Sequence, residues 1–315
     1  MNKKMKKVFF AIAAALFAVT ALTGCIQPTQ ASPDAATGAA TTAAAAATTS
    51  SGSGFNDSSA ISVVTREEGS GTRGAFIELL GIQVKGDDGS TKDMTTGEAI
   101  TADGTNIVMT NVANDMYAIG YISTGSLNDT IKALNVDGAE PSMDNLKSGA
   151  YPISRPFNIA YKGEPSGLAA DFIGFIFSQE GQGVVSSRGY IAVAENPVYG
   201  GSRPTGKLVI DGSSSVFPLM ERLVEAYQKI NEGAEIEVHM TDSSSGMQAA
   251  INGSAEIGMA SRELKDAEMA ELNHQSIAID GIAVIVNNGN PLGGLTGEQI
   301  RGVFTGEIKS WNELK

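Results

Sequence analysis

Three stretches of the chain place glycines and hydroxyl-bearing residues just before a helix-like run: Gly69-Ser70-Gly71-Thr72, Gly212-Ser213-Ser214-Ser215 and Asp242-Ser243-Ser244-Ser245-Gly246. The first amides of a helix lack carbonyl partners and carry the positive end of its dipole, so such turns suit anions, and hydroxyls add further donors. Arg66, four residues before Ser70, supplies a fixed charge and a planar donor fork matched to an oxyanion. One such turn is equally well an ordinary helix cap, a position serine favours. Three of them, one beside an arginine, point to a single oxyanion pocket. About eight charge-assisted bonds at about 1.5–3 kcal/mol each, less the cost of dehydrating the anion and ordering the site, leave about 8 kcal/mol, or micromolar binding. Tighter capture needs a dry cleft between two bodies that close on the ligand.

Other chemistries lack their parts. His239 and His274 have no second ligand at metal spacing. No serine has a credible base, and no carboxylates pair with histidines as a phosphatase would need. The expectation is therefore a binding protein with no catalytic residue, metal or cofactor. A net charge of −13 argues against nucleic acid or anionic lipid as partner, since both need basic patches. It also slows an approaching anion, so the pocket must win by contact geometry.

The elements that position these turns read as α/β, with short apolar strands alternating with amphipathic helices. Lys207 to Gly212 reads as a strand, and the run after it has Val216, Leu219, Met220, Leu223, Val224 and Tyr227 on one helical face. Pro218 fits only that helix's first turn. Ile236, Val238 and Met240 alternate inward on the next strand, and Gly281 to Asn287 is a continuous apolar run covered on both faces. Residues 60–65 read as a strand, and the stretch after Thr72 begins a helix. Residues 166–193 read as one or two helices with a short extended end, and residues 194–206, rich in Gly and Pro, as a connector.

The N-terminus sets the compartment. Residues 1–25 have a basic start, an apolar run of about a dozen residues and a small-residue exit, which is a secretory signal. The run is too short for a retained span, which needs about 20 residues. Leu22-Thr23-Gly24-Cys25 resembles a lipobox, making Cys25 the lipidated first residue of a mature, extracytoplasmic chain; it is the sole cysteine, so no internal disulfide forms. Residues 26–59, mostly Ala, Thr, Ser, Gly and Pro, read as a disordered tether. Residues 60–315 are enough for two lobes with proper cores.

Four motifs, "GSSSVFPLMERLVEAYQK", "SSSGMQAAINGSAEIGMASREL", "GIAVIVNNGNPLGGLTGEQIRGVFTGEIKSWNEL" and "VVTREEGSGTRGAF", resemble the phosphate-binding protein of phosphate ABC importers over nearly all of residues 61–315. The resemblance implies a two-lobed type II periplasmic-binding-protein fold, each lobe a mixed sheet flanked by helices. It further implies a monomer that captures inorganic phosphate in the cleft and delivers it to the permease subunits of an importer. The order departs from the family: the segment like 207–315 comes first there and the segment like 61–193 second. The chain thus reads as a circular permutant in which 194–206 joins the family's usual termini. Lobe 1 would be 152–285 and lobe 2 would be 60–151 plus 286–315, with crossings near 151–159 and 284–287. A fragment of a tandem duplication is the alternative.

Carried over from the family, Arg66, Ser70, Gly71 and Thr72 match its arginine and serine-glycine-threonine turn, and Ser243 its helix-start serine. Val216 and Phe217 fall where a threonine and a phenylalanine bind phosphate in the best-known members, with Ser214 or Ser215 available to replace the missing hydroxyl. Ser261 stands where those members have an aspartate that accepts the proton of hydrogen phosphate. This leaves Glu68 or Asp242 as possible acceptors and sulfate, or another tetrahedral oxyanion, as the alternative ligand. Glu68 either holds Arg66, as an acidic residue does in the family, or is a solvated charge. Arg262 either leans into the pocket or forms a structural ion pair, Asp280 is an outer support or a turn residue, and Trp311 is a packing anchor.

Overall fold

The computed structural model describes residues 54–86, 90–193 and 197–314. The signal segment with Cys25, the tether up to residue 53 and residues 194–196 of the connector lie outside them. In chain order come β1 (Ser62–Arg66), α1 (Gly71–Leu79), β2 (Gln83–Lys85), β3 (Thr91–Asp93), β4 (Ile100–Ala102), α2 (Thr105–Asn114), β5 (Ala118–Ser123), β6 (Ile131–Ala133), β7 (Asn135–Val136) and α3 (Met143–Ser148). After them come β8 (Ser154–Tyr161), α4 (Gly167–Ile176), α5 (Gln179–Ser187), β9 (Gly206–Ser213), α6 (Phe217–Gln228), β10 (Ala234–Thr241), α7 (Ser243–Asn252), β11 (Ile257–Ala260), α8 (Asp266–Met269), β12 (Asn273–Asn287), β13 (Gly294–Leu295) and α9 (Gly297–Thr305).

The long strand β12 is the seam of the molecule. Its first part, Asn273 to Gly281, runs antiparallel to β8, beyond which lie β11, β9 and β10; its second part, Ile282 to Val286, runs antiparallel to β5, beyond which lie β1 and β4. The buried apolar clusters divide at the same place. Two contain residues between Phe157 and Ala278, and two contain residues from Val63 to Ile153 together with Ile282 to Leu314. The fully buried members of the clusters keep to one set or the other, with only the half-buried Ile191 packing across onto the second set, so the α/β chain has two lobes, each with its own core and a mixed sheet flanked by helices. The chain crosses between them at Ile153/Ser154 and Gly281/Ile282, where Ile282 N donates to Ile153 O at 2.9 Å. On β12 the change of partner from β8 to β5 falls between Gly281 and Ile282, because the apolar run itself pairs with β5.

Local structure matches the residue pattern closely in α6, where Val216, Leu219, Met220, Leu223, Val224 and Tyr227 are all buried and Pro218 sits in the first turn. β10 departs from it: Ile236 and Val238 are half-buried but Met240 is 50% exposed. β10 is the edge strand, so its core-side face is only partly covered. The described start of the chain lies against its end. Ile61 N donates to Lys309 O at 2.8 Å, Asn312 N donates to Asp57 O at 2.7 Å, and Trp311 packs edge-on against Phe55. The described connector residues are tied down: Asp171 accepts from Tyr199 OH, from Tyr227 OH at 2.7 Å and from Ser202 N at 2.8 Å, and Asn231 Nδ2 donates to Pro204 O at 3.0 Å.

Candidate functional site

The sheet aims the three small-residue turns at one place. β9 and β10 are parallel neighbours whose carboxyl ends lead into α6 and α7, and β1 and β4 are parallel neighbours whose ends lead into α1 and α2. Carboxyl ends of parallel strands are where α/β folds bind ligands. In each first turn part of the backbone is already spent. Ser70 Oγ accepts from Arg73 N at 3.3 Å and Asp242 accepts from Ser245 N at 2.9 Å, both as N-caps, and Val216 N donates to Ser213 O at 3.0 Å. The amides of Gly71, Thr72, Phe217 and Ser243 begin their helices and have no carbonyl one turn back to reach.

Hydroxyls from both lobes interlock around that point. Thr72 Oγ1 lies 2.8 Å from Ser215 Oγ and 3.5 Å from Ser261 Oγ; Ser213 Oγ donates to Ser261 Oγ at 2.8 Å; Ser243 Oγ accepts from Ser261 N at 3.1 Å. Arg66 Nη2 donates to Ser214 Oγ at 2.9 Å across the lobes. The backbones approach closely: a methyl on Gly71 would lie 2.3 Å from Ser243 Oγ and 2.9 Å from Ser261 Oγ, and one on Gly69 would lie 2.3 Å from Asp242 Oδ1. Ser244 N donates to Gly69 O at 3.2 Å. Only a residue without a side chain allows this contact.

Arg66 is 1% exposed, and its placement is over-determined. Its backbone N and Thr65 Oγ1 both meet Tyr121 OH, whose ring stacks on Phe76 with centroids 3.9 Å apart. Burial raises the pKa of the Tyr121 hydroxyl more than these bonds lower it, so it stays protonated and able to donate. The guanidinium is paired by Glu67, which accepts from Nε at 2.7 Å and also from Nη2. The neighbour Glu68, the residue expected in that role, is exposed; at the end of β1 the pleat turns Glu67 toward Gly104 N, which donates to it at 3.2 Å, and turns Glu68 outward.

Arg262 is a structural ion pair. It binds Glu268 through both terminal nitrogens at 2.8 Å, and Asn158 Nδ2 holds its carbonyl at 2.9 Å. Burial would raise the Glu268 pKa, but the hydrogen bonds from Arg262 and Lys265 outweigh it and bring the carboxyl below its ordinary range. Asp242 serves its own helix cap. The hydrogen-bond partners of the Ser261 side chain among the described residues are hydroxyls, so no carboxylate joins them.

Of the ten residues singled out from sequence, Arg66, Gly71, Thr72, Ser214, Ser215, Ser243 and Ser261 converge on this point through their side chains or close approach, and Ser70 caps the helix beside it. Val216 points into the lobe core at 0% exposure, and Phe217 contributes the start of α6. Ser213 belongs to the second of the three turns though not to these ten, and Thr105 was missed by the sequence reading. Thr105 Oγ1 lies 3.3 Å from both Ser214 Oγ and Ser215 Oγ and accepts from Arg66 Nη1 at 3.4 Å. The signal was present: Ala102-Asp103-Gly104-Thr105 is a fourth small-residue turn between a strand and a helix. Among the described residues no cluster of His, Cys, Asp or Glu could hold a metal ion, and no helix is long and apolar enough to cross a membrane. Together the groups offer one buried guanidinium, first-turn amides and amphoteric hydroxyls, which suits a small tetrahedral oxyanion.

Residues 30–180 and 197–315 match the sequence model of the PBP superfamily domain. The chain is 47% identical over 266 residues to a Streptococcus agalactiae protein named phosphate-binding protein PstS 2, covering 82% of this chain and 91% of that one. It is 44% identical over 260 residues to a Streptococcus pneumoniae protein of the same name, covering 82% and 89%. A solved phosphate-binding protein of a phosphate ABC transporter from Streptococcus pneumoniae superimposes with a TM-score of 0.66 at 43% identity, over 82% of this chain and 100% of that one.

Proposed function

The chain belongs to the PBP superfamily and, within it, to the phosphate-binding proteins of ABC importers, and from that premise we propose how this molecule does its work. It captures inorganic phosphate between its two lobes and hands it to the permease subunits of an importer outside the cytoplasm. Arg66 provides the fixed charge, and Gly71, Thr72, Phe217 and Ser243 provide amides. Thr72, Ser214, Ser215, Ser243 and Ser261 provide hydroxyls, with Ser70 holding the first turn of α1 in place. Thr105 and Ser213 join them. The observation that carries this reading is the meeting of Arg66 and Thr72 of one lobe with Ser214, Ser215 and Ser261 of the other, all within hydrogen-bond reach. The protein acts by binding and release, with no catalytic step.

Because Ser261 stands where the best-known members of the family have an aspartate, sulfate is the specific competitor. A carboxylate rejects a fully deprotonated anion by repulsion, whereas a hydroxyl can turn its proton toward or away from the ligand. Competitive calorimetry with phosphate and sulfate near neutral pH separates the two. Phosphate is expected to bind at micromolar affinity or better and to resist displacement by equimolar sulfate; preferential sulfate binding overturns phosphate as the cargo.

The segment order is best read as a circular permutation. The contact of residues 57–61 with 309–312 puts the first and last described segments side by side, and the connector packs against α4 and α6. The relatives align through more than four-fifths of both chains, which favours an arrangement they share over a fragment of a tandem duplication. Cys25, after a secretory signal, would carry the lipid that anchors a monomeric protein to the outer face of the membrane.

A further inference from the structure

Where both strands cross between the lobes lies a buried polar cluster whose hydrogen bonds among the described residues reach none of the candidate phosphate ligands, although the Arg66 charge acts on Arg155. Asp280, 1% exposed, is the last residue but one of the β8-paired part of β12. Its Oδ2 accepts from Arg155 Nη2 at 3.0 Å, and its Oδ1 accepts from Ser123 Oγ at 2.8 Å and Thr124 Oγ1 at 3.1 Å. Arg155 and Asp280 are register partners at the start of β8 on the lobe 1 side, while Ser123 ends β5 on the lobe 2 side. One carboxylate therefore divides its two oxygens between the lobes.

The arginine makes the arrangement one-sided. Arg155 is 3% exposed, its Nε and Nη1 have no hydrogen-bond partner among the described residues, and Asp280 is the acceptor it does find. Separating a buried pair leaves an uncompensated charge, so Arg155 and Asp280 move together. The hydroxyls are the exchangeable half, since water can replace a serine or threonine hydroxyl once the cluster opens. Gly281, between Asp280 and the crossing, packs tightly: a methyl there would lie 2.7 Å from Thr124 Cγ2 and 2.9 Å from Leu146 Cδ1. A torsional change at Gly281 swings Asp280 relative to Ser123 and Thr124.

We propose that Asp280, held by Arg155, is a positioning residue for anion capture: Ser123 and Thr124 clasp it when the lobes close, and these bonds set how tightly the cleft holds its ligand without touching it. The inference rests on the phosphate-binding function proposed for the cleft. A clasp of this kind changes the closing equilibrium equally for every ligand that needs closure, so affinity and selectivity separate.

The test is calorimetry and stopped-flow dissociation of inorganic phosphate and sulfate on wild type, the double variant Ser123→Ala/Thr124→Val and the single variant Thr124→Ser. In the double variant phosphate affinity is expected to fall about tenfold or more, by analogy with loss of hydrogen bonds to a charged acceptor, through faster dissociation. Sulfate affinity falls by the same factor, and Thr124→Ser stays near wild type. A double variant that is less heat-stable yet binds phosphate with wild-type affinity overturns the clasp, as does a changed phosphate-to-sulfate ratio. If the double variant does not fold, Ser123→Ala alone is expected to weaken both ligands in the same ratio, and unchanged binding overturns the proposal. Failure of the wild type to bind phosphate removes the underlying function, whereas wild-type binding that Arg66→Ala abolishes and the clasp variants leave untouched removes the clasp alone.

Discussion

Gly71 shows how much of the site depends on what a residue lacks. Its neighbours Ser243 and Ser261 belong to the other lobe, so a methyl at 2.3 Å from Ser243 Oγ obstructs the meeting of lobes rather than the folding of either. Gly71→Ala is expected to reduce phosphate affinity by about a hundredfold, the equivalent of roughly 3 kcal/mol, while thermal unfolding of the ligand-free protein shifts little. A large loss of stability at unchanged affinity would show that the contact serves folding and not capture. At this scale the sequence was most informative where residue type alone decides chemistry: the arginine and the runs of serine marked the residues whose side chains meet at the candidate site. It was least informative where a choice depended on side-chain direction. Glu67 and Glu68 are indistinguishable by type, and only the end of β1 decides which one faces Arg66. Thr105 went unnoticed because a lone threonine after glycine lacks the repetition that marked the serine runs.

Among the elements, α8 and the turn after β11 are bound together by charge. Arg262 and Glu268 are both largely buried, with side-chain exposures of 10% and 7%. Glu268, held below its ordinary range by the hydrogen bonds that outweigh its burial, contributes stability that is complete above the unfolded carboxyl value of about 4.3 and is lost as pH falls through the lower folded value. Glu268→Gln is accordingly expected to cost about 3 kcal/mol near neutral pH by leaving Arg262 buried without its counter-charge. Denaturant titrations at a series of pH values check this: the deficit relative to wild type should shrink on acidification below about pH 4. A deficit independent of pH would place the loss in packing. Elements were legible where periodicity had a single solution, as in α6. β10 was only half legible, because alternation identifies a strand but not whether its outer neighbour exists. Met240 is exposed for want of one.

At the largest scale the described residues form two lobes joined by two strand crossings, and the order of their segments makes sense only in three dimensions. Composition and motif order indicated two bodies and a rearranged chain. The seam within β12 was hidden, because its apolar run continues unbroken while the partner changes from β8 to β5. The proposed function depends on bringing the loops of both bodies onto one ion around Arg66. Equilibrium dialysis of the purified protein and of Arg66→Ala against radiolabelled orthophosphate at neutral pH tests this directly. The expected result is one phosphate retained per wild-type chain at micromolar affinity or tighter, and affinity at least about a hundredfold weaker in the variant, the loss of a charge-assisted contact at a buried site. Equal retention by both proteins, or none by the wild type, would contradict the account.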